Sequence, residues 1–561
     1  MTALTSVLAD GPLTGGWHGV DWHRAHQQTR RLQVRIAKAI TEGKHNKARG
    51  LQRLLTNSLA AKTLAVVKVT TNKGRNTPGI DGETWSTPQE KLQALKSLQT
   101  SEYRPKPLRR VYIPKHNGKR RPLGIPTMAD RTQQALWALA LDPVSETLAD
   151  PHSYGFRKHR CCQDAMLQCF IVLSQKGAAQ WILEADIEGC FDHLSHTWLL
   201  DNIPMDKRVL NDWLKAGYLE RGRFQHTNEG TPQGGIISPI LANMALDGLQ
   251  AELERHFSYG GRAGPHKVHF VRYADDFIIT GACAQVLQDQ VVPLVKDFLA
   301  KRGLRLSQAK TRITNISSGF DFLGFNFRKY RSKFLIQPSE AAVRRLKEKI
   351  RDLLRQGRHR PALWMVSALN SLLGGWARYY QSACSKRTFS SLDHWIHWRL
   401  WYWVKRRHRH RSRAWMTAKY FDPYQGEQRI FFAKDQDNAV LLLRLSQLPI
   451  RRHTKIRSQA NPYDPAWESY FESVQDRQWV QGVGRRKLVS LYRQQNGRCP
   501  VCGEKICHET GWNSHHIQPK AFGGSDSIDN LVLLHPNCHR LLHSHPLVSE
   551  RRVLLKRLPR A

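Results

Sequence analysis

Near the start of the chain, apolar residues recur at helical spacing, Leu32, Ile36 and Ile40 and then Leu51, Leu55 and Leu59, among many Arg and Lys. Such a stripe is one face of a helix, so residues 24–64 are expected to form two basic amphipathic helices. The run NKGRNTPGIDG, residues 72–82, breaks that pattern with Pro78, Gly79 and Gly82. From 103 to 335, short β-like runs (RRVYIP, QWILEAD, VHFVRY, FIITG) alternate with longer helical stretches, the pattern of a mixed α/β domain. Residues 339–410 turn to helix: Val343, Leu346, Ile350 and Leu353 share a face, and two long Trp-rich segments follow, LWMVSALNSLLGGWARYY and LDHWIHWRLWYWVKRRHRHR. Between about 420 and 490 the periodicity is broken, and from Gly497 the chain becomes a compact Cys/His-rich module. No repeat of solenoid type and no low-complexity tract interrupts this order.

Charge narrows the partners. Lys and Arg number 87 against 46 Asp and Glu, a formal +41 over 561 residues. So large an excess repels itself unless a polyanion neutralises it, and nucleic acid is the natural one. Seventeen Trp and fifteen Tyr add stacking surface for unpaired bases. The opening MTALTSVLADGPLTGG lacks the basic start and apolar core of a signal peptide, and no segment is apolar enough to span a bilayer. No membrane partner is expected, and a cytoplasmic, reducing location is. The cysteines agree: Cys161, Cys162, Cys169, Cys190, Cys283 and Cys384 show no pairing pattern, while Cys499, Cys502, Cys507 and Cys538 crowd into the last segment. One local metal site explains that distribution better than disulfides do.

In VHFVRYADDFIIT two adjacent carboxylates, Asp275 and Asp276, lie between β-like runs. Neighbouring side chains of a continuous strand point to opposite faces, so the two can serve one site only if the chain turns there. The segment is therefore expected to be a hairpin with acids at its tip. A second strand, QWILEAD, ends in Asp186. Asp186 and Asp275 together offer the hard oxygen ligands that Mg2+ prefers, enough for a pair of ions. In VYIPKHNGKRRPLGIPT, Lys115 and Arg121 bracket an Asn117-Gly118 turn, so both cations can face one triphosphate.

YADD, the strand-terminal Asp186, GTPQGGIISPILANMAL (230–246) and FLAKRGLRLSQAKT (298–311) resemble the reverse transcriptases, motif by motif and in order. With Ala274 in the second place, the YADD form looks like the group II intron branch. The resemblance covers roughly residues 60–330. It implies a right-hand polymerase of fingers and palm that uses dNTPs, with Asp186, Asp275 and Asp276 as the catalytic triad. It further implies that Phe191, five residues after Asp186, lies beneath the incoming sugar and would collide with a 2'-hydroxyl, and that Lys115 and Arg121 grip phosphates. Gln233 and Lys310 are carried over as nucleotide or template contacts. The helical stretches after Pro338, with GGWARYYQ, SKRTFSSLDHWI and WRLWYWVKRRH, resemble the thumb or maturase domain of group II intron proteins, which implies an RNA-binding face. The cations of KRRHRHRSR, residues 405–413, are too dense for a neutral interior and are assigned to phosphates.

At the C-terminal end, Cys499-x-x-Cys502 and His535-x-x-Cys538 supply ligands for a closed, tetrahedral Zn2+, with Cys507 in reserve should His535 not serve. Between and after them lie His515, His516, Asn530, His539 and His543; the last two are four apart on one helical face. This resembles the HNH nucleases and implies a ββα-metal fold. His516 would then activate water, Asn530 would orient the hairpin that carries it, and His515, His539 and His543 would hold a divalent ion.

The reading is thus a multidomain α+β protein: fingers and palm over 1–335, a helical thumb or maturase domain over 336–420, a DNA-binding region over 421–490 by position, and an HNH endonuclease with structural zinc over 491–561. Its expected partners are the group II intron RNA in a ribonucleoprotein, target DNA and dNTPs. It would promote splicing, nick the target and copy the intron from the nick, associating with the nucleoid as it does so. Two other readings stay open: an RNA-binding splicing factor with an inactive polymerase, and a reverse transcriptase recruited to defence or diversification.

Overall fold

The computed structural model describes residues 16–544, apart from 100–101, 115–117, 119, 232–233, 260–261, 332, 422–428, 436–437, 484–485 and 508–509. Where the apolar stripe predicts two N-terminal helices there are three, Trp22–Thr41, His45–Asn57 and Leu59–Thr71. Gly43, at φ 68°, ends the first, and Ser58, extended at ψ 129°, separates the second from the third. Leu59 therefore starts a new helix instead of continuing the Leu51–Leu55 face. The stripe residues Ile36, Ile40, Leu51 and Leu55 are buried in one core with the long helix Met128–Leu148. Gln33 and Gln52 bind carbonyls of that helix, Leu139 at 2.8 Å and Ala140 at 3.3 Å.

Two four-stranded sheets follow. In the first, Arg120–Ile125 pairs with Leu108–Pro114, which is flanked by Tyr218–Glu220 and Arg223–Gln225. The second is antiparallel throughout, in the order Arg312–Asn315, Trp181–Asp186, Asp276–Gly281, Phe270–Tyr273. Strand alternation divides it between two cores. Leu183, Ala185, Phe270, Phe277 and Ile279 face the core that holds the N-terminal helices and Met128–Leu148, while Ile182, Val271 and Ile278 face a second core that holds the helix Cys162–Leu173 and the helices after the sheet.

That second core runs through a three-stranded sheet, Phe320–Phe322, Phe325–Tyr330 and Lys333–Pro338, into the helices Glu340–Gln356, Ala362–Tyr380 and Lys386–Arg407. Leu346 and Ile350 are buried as the spacing predicts, with Val343 and Leu353 packed beside them.

The stretch with broken periodicity has a role its sequence does not announce. Residues 453–463 run back across the polymerase-like domain: His453 bonds Asp164 at 2.8 Å, the Ile456 amide bonds the same carboxylate at 2.9 Å, and Arg160 donates to the Ala460 carbonyl at 2.9 Å. Tyr463 donates to Asp142 and accepts from Lys158. This segment is a strap anchored about 300 residues away in sequence.

The terminal module is a hairpin, Asn513–His516 with Leu531–Leu534, followed by the helix Pro536–Ser544. Its core is continuous with Trp17, Val20, Trp22, Val66 and Leu95 of the N-terminal helices. Among the described residues no helix is long and apolar enough to cross a membrane.

Candidate active sites

The acidic hairpin is as its sequence predicts. Tyr273 pairs with Asp276 across a two-residue turn of Ala274 and Asp275, and Asp186 on the neighbouring strand is the register partner of Asp276. Three carboxylates separated by about 90 residues thus meet at one sheet end. Ala274 turns the chain at φ 57°, in the left-handed region. The tip rests on Gly155, where a Cβ would lie 2.3 Å from the Ala274 nitrogen, so only glycine fits.

Beneath the tip lies a buried network that sequence reasoning missed. Arg272, 1% exposed, donates from Nη1 to Asn243 Oδ1 at 3.2 Å and to the Ala274 carbonyl at 3.3 Å, and from Nη2 to Asp247. Asn243 donates to the Gly155 carbonyl at 2.9 Å. A buried charge persists only when paired, so Arg272, Asp247 and Asn243 lock the turn in place. The one signal was an Arg inside an otherwise apolar strand of VHFVRY.

Two of the carboxylates, Asp275 and Asp276, are shifted upward in pKa. Burial, then the charge of Asp186, holds Asp275 above its usual range. Asp276 keeps an edge in solvent, yet the chain around it and the charge of Asp275 push it up to about 7. Lys310 relieves part of this by donating to Asp186 Oδ2 at 2.6 Å, and Arg121 stands near enough to Asp275 to lower it somewhat. A set of oxygen ligands with surplus negative charge fits hard divalent cations. The Phe191 carbonyl accepts from the Thr231 amide at 2.6 Å, while Gly230, at φ 84°, sits where a Cβ would come within 2.7 Å of that carbonyl. Lys115, Asn117 and Gln233 lie outside the described residues.

In the terminal module, Cys499, Cys502, His535 and Cys538 are all buried with their ligand atoms within 4.8 Å of one another. Cys507 is not among them; its amide donates to Thr510 Oγ1. His535 turns Nδ1 toward Cys502 Sγ at 3.2 Å and donates from Nε2 to the Lys505 carbonyl, which fixes the tautomer a metal ligand needs. Three thiols and an imidazole, closed from solvent, fit zinc. His515, His539 and His543 form a second cluster within 4.8 Å. His516 pairs through Nε2 with Asp526 Oδ1 at 2.8 Å, an orienting partner that the sequence did not reveal. Asn530 ties down the loop after His516, accepting from the Gln518 amide at 2.8 Å and donating to the Ser525 carbonyl at 2.7 Å. On the helical side, residues 405–407, 409 and 411–413 are exposed, and Arg407, Arg411 and Arg413 lie over Trp403, Trp415 and Trp401.

Comparison with known proteins divides the chain in the same order. Residues 17–98 match the N-terminal domain of reverse transcriptase, 113–327 the reverse transcriptase (RNA-dependent DNA polymerase) family, 343–421 the group II intron maturase-specific domain and 499–545 the HNH endonucleases. The chain is 33% identical over 329 residues to protein YkfC of Escherichia coli, covering 51% of itself and 85% of that protein. To the group II intron-encoded protein LtrA of Lactococcus lactis it is 30% identical over 349 residues, covering 50% of itself and 57% of LtrA. A solved telomerase from Candida albicans aligns at a TM-score of 0.31 and 14% identity, over 53% of this chain and 60% of that one. The chain belongs to the group II intron-encoded proteins, with reverse transcriptase, maturase and HNH endonuclease domains in succession.

Proposed function

We propose that this chain binds its intron RNA, assists splicing, nicks one strand of target DNA and copies the RNA from that nick. In the polymerase centre, Asp186 and Asp275 would hold Mg2+, with Asp276 supporting the hairpin or completing the ligand set. Bound there, the ions would lower the pKa of a primer 3'-hydroxyl and stabilise the departing pyrophosphate. Lys310, Arg121 and, by sequence, Lys115 and Gln233 would hold the nucleotide and template, and Phe191 would reject a ribose. In the nuclease centre, His516, oriented by Asp526, would take the proton of the attacking water. His515, His539 and His543 would hold a divalent ion at the scissile phosphate. Cys499, Cys502, His535 and Cys538 would hold structural Zn2+. The exposed cations of 405–413 would contact RNA phosphates.

The observation that carries this reading is the meeting of Asp186 with Asp276 beside Asp275 at one sheet end. The test is a coupled assay in which the purified protein, with its intron RNA, nicks a labelled duplex and extends the new 3'-end with dNTPs and Mg2+. Extension of a supplied primer on an RNA template that stops in Asp275→Asn would support the polymerase half. Absence of RNA-templated extension by the unaltered protein would reject it.

A further inference from the structure

Residues 153–157 read Ser-Tyr-Gly-Phe-Arg, and all but one are buried; Phe156 is 55% exposed. Both flanks are fixed. The Tyr154 amide donates to the Arg272 carbonyl at 3.0 Å, and Asn243 holds the Gly155 carbonyl. Arg157 donates to the Asp150 and Ser153 carbonyls at 2.7 and 2.8 Å and bonds Glu146 with two further nitrogens at 2.9 Å. Between these anchors Phe156 sits at φ 58°, a region that a bulky L residue enters only at a cost. The cost returns little to folding, because more than half of the ring it projects is exposed. Strain held in place by its surroundings, with an apolar ring presented outward, points to use at a site. The ring meets Phe191, edge-on at 78° with centroids 6.4 Å apart. The Thr231 amide holds the Phe191 carbonyl at 2.6 Å, and Gly230 closely approaches that backbone.

We infer that Phe156 is a positioning residue for sugar discrimination: its edge holds the Phe191 ring where the 2'-hydroxyl of an incoming ribonucleotide would strike it. This rests on the reading of Phe191 as the sugar gate.

The test is primer extension by the full-length protein with dNTPs or rNTPs, read as the ratio of the two kcat/KM values. Phe156→Ala is expected to shift that ratio toward ribonucleotides by about 2- to 10-fold, the worth of an edge-on aromatic pair. Phe191→Ala should shift it further, and the double variant should do no more than Phe191→Ala alone, because the two rings act as one unit. Phe156→Tyr should retain the original ratio. Phe156→Gly guards against a folding defect: glycine adopts φ 58° freely, so its Tm should equal or exceed that of the parent while selectivity relaxes as in the alanine variant. An unchanged ratio in Phe156→Ala and Phe156→Gly beside a relaxed one in Phe191→Ala would overturn the inference alone. So would a fall in dNTP turnover at constant ratio. If Phe191→Ala itself leaves the ratio intact, the gate reading fails and this inference with it.

Discussion

The two candidate centres of this chain are built in opposite ways. The polymerase acids come from strands far apart in sequence, and they meet because a large core forces the sheet into one register. Burial first, and then their mutual repulsion, oppose the fold locally, as the raised values of Asp275 and Asp276 record. The nuclease centre is drawn from 45 consecutive residues, 499–543, whose small hairpin and helix have little core of their own. It is closed by a Cys/His cluster instead. One centre is a cost that a stable scaffold carries, whereas the other is expected to depend on a metal staple for its shape.

The largest test of that contrast is Cys502→Ser. Structural zinc contributes about 10–16 kcal/mol to the folding of small modules, so nicking should disappear and residues 497–544 should become the first site of protease cleavage. RNA-templated extension of a supplied primer should survive within a few-fold. Its loss as well would show that the core shared with Trp17, Trp22 and Val66 makes the nuclease and the N-terminal helices one cooperative unit.

Asp275→Asn should give the reverse: extension lower by on the order of a thousandfold or more, nicking unchanged, and a Tm in Mg2+-free buffer equal to or above that of the parent. A clear drop in Tm would mean that the acids stabilise the hairpin, and the contrast would be lost. His516→Ala comes next, with nicking down by about 10²–10⁴-fold, the usual worth of a general base. Asp526→Ala, which removes only the orienting partner, should cost less, and equal losses in the two would make Asp526 more than a positioner.

The contrast also explains what could be read from sequence. The Cys/His clusters were legible because their residues lie at fixed short spacings, and the acidic tip was legible because strand alternation leaves a turn as the sole way to bring Asp275 and Asp276 to one site. Asp186 was legible as the acidic end of the QWILEAD strand, and the family resemblance strengthened it. What stayed hidden is long-range or conformational. The 453–463 strap has anchors at Asp142, Lys158, Arg160 and Asp164 that no local pattern announces. The Arg272 network depends on which buried acid an isolated Arg finds. The positive φ of Phe156 follows from bonds on both sides of it rather than from its own preference. The break at Ser58 passed unseen because Leu59 continues the apolar spacing while the backbone does not.

The smallest effect is a difference in sign between the two centres as pH changes. Without metal, Asp276 is pushed from its ordinary 3.8 to about 7. Between those values the folded protein keeps a proton that the unfolded chain has released, so this group's contribution is fully present below 3.8 and is lost as pH rises through about 7. In the nuclease, hydrogen bonds from Lys520 and then His516 lower Asp526 to about 2. Its contribution is present above the ordinary 3.8 and is lost only as pH falls through about 2. In Mg2+-free buffer, raising the pH from 5 to 8 should therefore lower the Tm of the parent relative to Asp276→Asn, with the gap widening up to about pH 7 and constant above it. Asp526→Asn should show no such trend over the same range. Mg2+ should close the Asp276 gap, because a bound cation takes over from the proton in offsetting the clustered carboxylates. A gap that is flat with pH, or untouched by Mg2+, would mean that Asp276 is solvated like any surface acid. The three carboxylates would then not form one electrostatic unit.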